Sequence, residues 1–117
     1  MKKIEAIIRK SRFEDVKQAL MDADIDWFSY WDITGLGKST EEQVVRGQVF
    51  KSGYIQRRMI SIVVRDINLD KTVKAIISSA QTGELGDGKV FVYDISETYR
   101  IRNGESGPEA LYNADSK

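Results

Sequence analysis

Hydrophobic and polar residues follow two different periods along the chain. Apolar residues recur at helical spacing in two segments, one beginning after Ser11 and the other covering about residues 69–82. Short apolar runs typical of β-strands flank these segments, at residues 2–9, 27–33, 57–65 and 89–95. The predicted order of elements is therefore strand, helix, strand, strand, helix, strand.

The ends of the two helices are indicated by residues that commonly cap them. Ser11 is followed three residues later by Glu14, which has the form of a capping box. Asn68 is predicted to cap the start of the second helix, and Gly83 follows its end.

The two halves of the chain resemble each other at an offset of 56 residues. Strand and helix positions both match, as in Ile4 with Ile60, Ile8 with Val64, Phe13 with Leu69, and Leu20 with Ile76. If amphipathic elements resembled each other only by chance, the strand positions and the helix positions would both have to match at the same offset. Two βαβ halves predict a ferredoxin-like βαββαβ fold of the α+β class, with an antiparallel four-stranded sheet and two helices on one face.

The second strand and the segment after it differ in character. Trp27 and Trp31 are four residues apart, so on a strand they would share a face and pack in the core or against another subunit. Residues 38–56 show no period of their own. A segment of that length in a compact domain is predicted to be functional or mobile, here hanging from the hairpin between strands two and three.

Composition limits the chemistry that the chain can perform. Its 117 residues fit one domain, and 18 basic residues balance 18 acidic ones, which argues against non-specific nucleic-acid binding. Without cysteine or histidine, thiolate metal sites are excluded and acid–base catalysis would depend on carboxylates or lysines. No apolar run resembles a signal peptide or a membrane span, so we expect a cytoplasmic protein.

Residues 82–89 hold the most specific candidate chemistry. Their three glycines permit positive φ, and the free N–H groups of such a turn, with Lys89, would form a concavity for an anion. The run satisfies G-x-x-x-x-G-K, but Val90 stands where a P-loop has its Mg²⁺-binding hydroxyl, and here a helix leads into a strand. A glycine-capped helix end explains the same residues, so the local sequence leaves both interpretations open.

Several stretches together resemble the PII nitrogen-regulatory signalling proteins over nearly the whole chain. They are residues 1–9, Thr34-Gly35-Leu36-Gly37-Lys38, the run from Gln81 through Gly83-Glu84-Leu85-Gly86-Asp87-Gly88-Lys89 to Val92, and Tyr99-Arg100-Ile101-Arg102-Asn103-Gly104-Glu105. The resemblance implies one PII-type domain over residues 1–112 and a flexible tail at 113–117. Within the domain it implies a T-loop at residues 38–56, a B-loop at 82–89 and a C-loop at 99–106.

The resemblance also implies a homotrimer with ATP or ADP bound in the clefts between subunits. The T-loop would contact target proteins such as an ammonium transporter, with Arg46 at its apex, so that the protein meets a membrane only indirectly. Arg100 and Arg102 would point to one side of an extended segment. The implied nucleotide-binding residues are Ile7, Ser29, Gly35, Gly37, Lys38, Val63, Gly86, Asp87, Gly88, Lys89, Arg100 and Arg102. No catalytic residue and no protein metal site is implied.

The sequence departs from the family pattern at the effector site. Many relatives hold Mg²⁺ and 2-oxoglutarate with a glutamine and a lysine that pairs with a glutamate, and here those places fall on Ser39, Arg57 and Ser61. Arg57 can still grip a carboxylate with two N–H groups, so Ser39 and Arg57 are the candidates and 2-oxoglutarate is left open. Phe50 aligns with a tyrosine that some relatives have uridylylated, and it carries no hydroxyl to modify.

The sequence therefore predicts a nucleotide-responsive regulator of nitrogen assimilation and not an enzyme. A slow ATPase is one alternative, against which no carboxylate stands in an obvious place to orient water. A PII-like sensor of a different small molecule is the other. Such cousins usually lose the Thr-Gly-x-x-Gly-Asp-Gly-Lys run that is intact here.

Overall fold

A computed structural model describes residues 1–45 and 48–112 of the chain, with side chains described throughout these ranges except at 38–45 and 48–52. The helices and strands of these ranges are β1 (Lys2–Ile8), α1 (Phe13–Asp22), β2 (Ser29–Val45), β3 (Gln48–Val64), α2 (Leu69–Ala80) and β4 (Gly88–Asp94). Short 3₁₀ turns precede both helices, and a third covers Pro108–Leu111.

The four strands form one antiparallel sheet in the order β2-β3-β1-β4, and the helices cover one of its faces. Alternate residues in the core parts of β1 and β3 face the helices and are buried, since side chains alternate across a strand; they are Ile4, Ala6, Ile8, Ile60, Ile62 and Val64. Apolar residues of the helices complete this core, among them Val16, Leu20 and Ile76. The prediction of a ferredoxin-like α+β fold is confirmed.

The opposite face of the sheet carries apolar side chains that are partly open to solvent. Trp31, Val63, Phe91 and Tyr93 on this face are between 37 and 46 % exposed. Trp27 lies before β2 begins and is 80 % exposed. The sequence had indicated that the two tryptophans share a strand face and pack in the core or against another subunit. They do not share a strand, and neither packs in the core of the subunit. Their packing against another subunit stays a prediction.

The two arms of the T-loop are strands, where the sequence showed no period. β2 and β3 continue far beyond the core, and residues 41–45 pair with residues 48–52. The pairing shifts in register between Leu36 and Glu41, opposite Gly53. The arms form strands because their backbones pair with each other. Backbone pairing alone does not require alternating apolar residues, so the sequence of the arms carries no such period.

The helix starts also differ from the prediction. Ser11 lies within a 3₁₀ turn and Arg12 occupies the N-cap position of α1 without a side-chain hydrogen bond, so the predicted capping box is wrong. Asn68 is the N-cap of α2, but its side-chain amide donates to the Tyr112 hydroxyl at 3.2 Å instead of capping the helix. Helix α2 ends at Ala80, slightly before the predicted end.

Candidate functional site

The carboxylate of Asp87 closes the B-loop upon itself. It accepts hydrogen bonds from the backbone N–H of Thr82 at 2.7 Å, the Thr82 hydroxyl at 2.5 Å and the backbone N–H of Gly83 at 3.0 Å. Arg9 Nε donates to the same carboxylate at 3.0 Å. These donors, those of Thr82 above all, hold the pKa of Asp87 well below its ordinary value. The Asp87 side chain is therefore ionised, and its oxygens are used in fixing the loop.

Two arginines from other elements hold the tip of the B-loop. Arg9 Nη2 donates to the Leu85 carbonyl at 2.7 Å. Arg57 on β3 is 8 % exposed and donates to the Gly86 carbonyl through Nε at 3.2 Å and Nη2 at 2.9 Å. In a trans peptide the N–H points opposite to the C=O. The N–H groups of Gly86 and Asp87 are therefore turned away from the two arginines.

Gly88 joins the B-loop to β4 in a conformation that requires glycine. Its φ is +107°, and a Cβ built on it would lie 1.7 Å from the Ile7 carbonyl oxygen. Ile7, Asp87, Gly88 and Lys89 line a cavity of about 260 Å³ at the adjoining ends of β1 and β4. The Lys89 side chain is exposed there. The structure thus brings three of the predicted phosphate-binding residues, Asp87, Gly88 and Lys89, together with the predicted apolar wall, Ile7.

A second group of predicted residues lies elsewhere on the same subunit. Ser29 and Val63 line a cavity of about 480 Å³, bordered also by Trp27 and by residues 110–112. Ile7 pairs with Met59, four residues along β3 from Val63, so the two groups are roughly 13 Å apart along the strands. One subunit therefore does not gather all the predicted residues around one point.

The C-loop is a turn, and the prediction of an extended segment there is wrong. The Gly104 N–H donates to the Arg100 carbonyl at 2.8 Å. The Arg100 side chain donates to the carbonyl oxygens of Glu109, at 3.0 Å, and of Tyr112. Arg102 is exposed and makes no ion pair with the part of the chain that the structure describes. The two arginines consequently have different surroundings.

The remaining predicted residues belong to the base and apex of the T-loop. Gly35 pairs with Ile55 on β3, and Gly37 lies where the register shifts. Bulged irregularities of this kind often re-aim residues beside functional sites. The side chains of Lys38 and Ser39 lie outside the described part, as does Arg46 entirely.

Neither Arg9 nor the Thr82 side chain was predicted from the sequence to take part in the site. A signal for Arg9 was present, because it directly follows β1, whose last residue Ile8 pairs with Gly88. Antiparallel pairing of the first and last strands places Arg9 beside the B-loop. The Thr82 contact depends on how the loop folds back, which its sequence does not specify.

Among the side chains that the structure describes, which exclude residues 38–52, no three acidic residues lie close enough together to hold a metal ion. No helix in this described part has the length and apolarity needed to cross a bilayer.

The fold and site define a ferredoxin-like protein with a long projecting hairpin and a glycine loop clamped by arginines. A model of the family described as "Nitrogen regulatory protein P-II" matches residues 1–105. The Pasteurella multocida protein of that name is 38 % identical over 112 residues, covering 95 % of this chain and all of that one. Nitrogen regulatory protein P-II 2 of Methanothermobacter thermautotrophicus is 39 % identical over 95 % of this chain and 97 % of its own length.

A solved structure shows the same likeness. The structure of B. subtilis GlnK matches with a TM-score of 0.78 and 34 % identity, over 94 % of this chain and 97 % of that chain. The chain therefore belongs to the nitrogen regulatory protein P-II family, whose members are regulatory signalling proteins. The family expected from the sequence motifs is confirmed.

Proposed function

We propose that this chain forms a cytoplasmic homotrimer that binds ATP and ADP and regulates nitrogen assimilation through T-loop contacts with targets such as an ammonium transporter. The observation that carries the proposal is the arginine-clamped B-loop. Contacts within the chain hold the loop closed, and the N–H groups of Gly86 and Asp87 point away from the arginines. A loop held by contacts of the chain itself needs less ordering by the nucleotide, which lowers the entropy cost of binding.

The B-loop supplies the chemistry that phosphate oxygens need. The N–H groups of Gly86 and Asp87 donate to no group in the described part of the chain, which leaves them for an anion. Lys89 adds a compact positive charge beside them. Arg9 and Arg57 contribute further positive charge behind the loop, where Arg9 pairs with the Asp87 carboxylate and Arg57 donates to the Gly86 carbonyl. We assign the phosphates to Gly86, Asp87, Gly88 and Lys89.

The separation of the predicted residues supports a site shared between subunits. Ile7 and the B-loop would bind the phosphate end, while Ser29 and Val63 of a neighbouring copy would bind the adenosine end. The partly exposed apolar face of the sheet favours association, since such patches commonly mark interfaces. In this arrangement Arg100 and Arg102 would approach the nucleotide from the same neighbour as Ser29.

Arg57 provides a physical connection between nucleotide and T-loop. It lies on β3, within the hairpin, and its guanidinium holds the Gly86 carbonyl of the B-loop. A nucleotide that favours one B-loop conformation would therefore favour one position of the hairpin base. ATP and ADP would act differently only if they bind the two states with different relative affinity, through contacts at Gly35, Gly37 and Lys38.

Binding of 2-oxoglutarate is a finer part of the proposal. Arg57 and Ser39 are its candidate residues, but the Arg57 guanidinium already binds the B-loop. The oxoacid would have to exchange with that contact or share the guanidinium. Any Mg²⁺ would be held largely by ATP oxygens, as is usual for this ion in nucleotide sites.

Isothermal titration of the purified protein with ATP, ADP and cyclic AMP tests the proposal, with and without Mg²⁺ and 2-oxoglutarate. We expect micromolar binding of ATP and ADP, a typical range for regulatory ligands. A 2-oxoglutarate response seen only with MgATP would establish the oxoacid site, and adenylate binding alone would leave an energy sensor. A protein that binds no adenylate would refute the proposal. Turnover of ATP at ordinary enzyme rates, lost in Lys89→Gln, would instead establish the ATPase alternative.

A further inference from the structure

An exposed tryptophan stands at the larger cavity. Trp27 lies in the turn between α1 and β2 and is 80 % exposed, although tryptophan is normally well buried. It lines the cavity of about 480 Å³ together with Ser29 and Val63. Trp31 does not line this cavity and projects from the sheet face that lacks helices. The chain therefore holds one tryptophan at the cavity and one matched tryptophan away from it.

Another part of the cavity wall comes from the end of the described chain. Residues 110–112 line it, and the Tyr112 side chain makes two contacts there. Its hydroxyl accepts from the Asn68 amide at 3.2 Å, and the Arg65 guanidinium lies 5.7 Å from its ring centroid. The match to the family model ends at residue 105, so this wall lies beyond the matched part.

The lining suits an aromatic base. Trp27 offers a flat apolar surface, and the carboxylates of Asp24 and Asp26 can accept from an exocyclic amine. The volume falls within the range usual for small-molecule sites. We propose that Trp27 stacks on the purine base of the bound nucleotide and is a specificity-determining residue for it. This inference rests on the proposed function, in which Ser29 and Val63 bind the adenosine end.

Calorimetric titrations of ATP and of inorganic triphosphate into four proteins test the role of Trp27. The proteins are the wild type, Trp27→Ala, Trp27→Phe and the matched control Trp31→Phe. Loss of a base-stacking side chain is expected to weaken ATP binding by about 5- to 150-fold in Trp27→Ala. Trp27→Phe should recover most of the affinity, because phenylalanine also presents a ring. Triphosphate has no base, so its binding should be unchanged in every variant, and Trp31→Phe should bind both ligands normally.

Fluorescence provides a second readout. The chain has two tryptophans, so Trp31→Phe leaves Trp27 as the sole indole. Its emission should be quenched by ATP and unaffected by triphosphate. A merely structural role for Trp27 would not produce this difference.

Several outcomes would overturn the inference. Trp27→Ala could bind ATP like the wild type, or lose ATP and triphosphate equally. A Trp27→Ala variant that changes its oligomeric state in size-exclusion chromatography, together with Trp31→Phe emission that ATP does not quench, would assign Trp27 to subunit packing. If the wild type bound no adenylate, the proposed function would fail and this inference with it. If only the role assigned to Trp27 were wrong, the wild type would still bind ATP.

Discussion

Replacing Gly88 by alanine probes the most crowded backbone position in the candidate site. In Gly88→Ala the new Cβ would lie 1.7 Å from the Ile7 carbonyl oxygen, far inside van der Waals contact. The carbonyl oxygen belongs to the backbone, and the backbone fixes the position of a Cβ, so no side-chain rotation relieves the clash. The start of β4 must instead move away from the end of β1, where Gly88 pairs with Ile8.

The magnitude follows from two contributions. A residue with a Cβ at φ +107° costs about 1–3 kcal/mol in backbone strain. Separating the strand ends weakens one or two ladder hydrogen bonds, each worth about 0.5–1.5 kcal/mol. We therefore expect the free energy of unfolding to fall by about 1.5–6 kcal/mol. Domains of this kind are stable by only about 5–15 kcal/mol in total, so the change should be large.

Gly83→Ala is the matched control. Gly83 also has a positive φ, +87°, but a Cβ there would meet nothing within 4 Å. It should cost only the backbone strain, about 1–2 kcal/mol. Urea unfolding followed by far-UV circular dichroism, at one protein concentration for all variants, measures both. Equal midpoints for the two variants would refute the close approach of Gly88 to Ile7.

Three further predictions concern the loop and its ligand. The folded-state pKa of Asp87 is lowered, so its stabilisation is fully present above the unfolded value of about 3.9 and is lost as the pH falls through the folded value. As the pH is lowered below 4, the free energy of unfolding measured by urea titration should therefore fall less for Asp87→Asn than for the wild type. An equal fall in both proteins would contradict this. Arg57→Lys cannot make both bonds to the Gly86 carbonyl, so it should destabilise by about 1–3 kcal/mol and speed hydrogen exchange of the B-loop. Unchanged exchange would show that Arg57 does not hold the loop. Lys89→Gln should weaken ATP binding by about 10- to 150-fold in calorimetry, through loss of a charge-assisted contact, whereas Lys71→Gln on the exposed surface of α2 should not.

The elements of the core were predictable because each carries its own period. Alternation in β1 and β3 and the helical spacing of Val16, Leu20 and Ile76 report which side of each element is buried. The repeat at an offset of 56 then gave the topology. The glycine loop was also predictable from the local sequence, because the positive φ at Gly88 favours glycine directly.

The T-loop arms and the C-loop were not predictable in the same way. The arms pair with each other beyond the core, so nothing selects alternate apolar residues in them. Arg100 and Arg102 have the spacing of an extended segment, yet the Gly104 N–H closes a turn on the Arg100 carbonyl. Spacing alone does not distinguish these conformations, since the hydrogen-bond partner decides between them.

The sequence alone determined the order of elements, the fold, the family motifs and the position of the glycine loop, because these depend on periodicity and local backbone preference. Only the tertiary structure decided what holds that loop, namely Arg9 from the end of β1 and Arg57 from β3. It also decided that Trp27 is exposed beside a cavity and not packed in the core. Such contacts join residues far apart in the chain, and they exist only after the strands are paired.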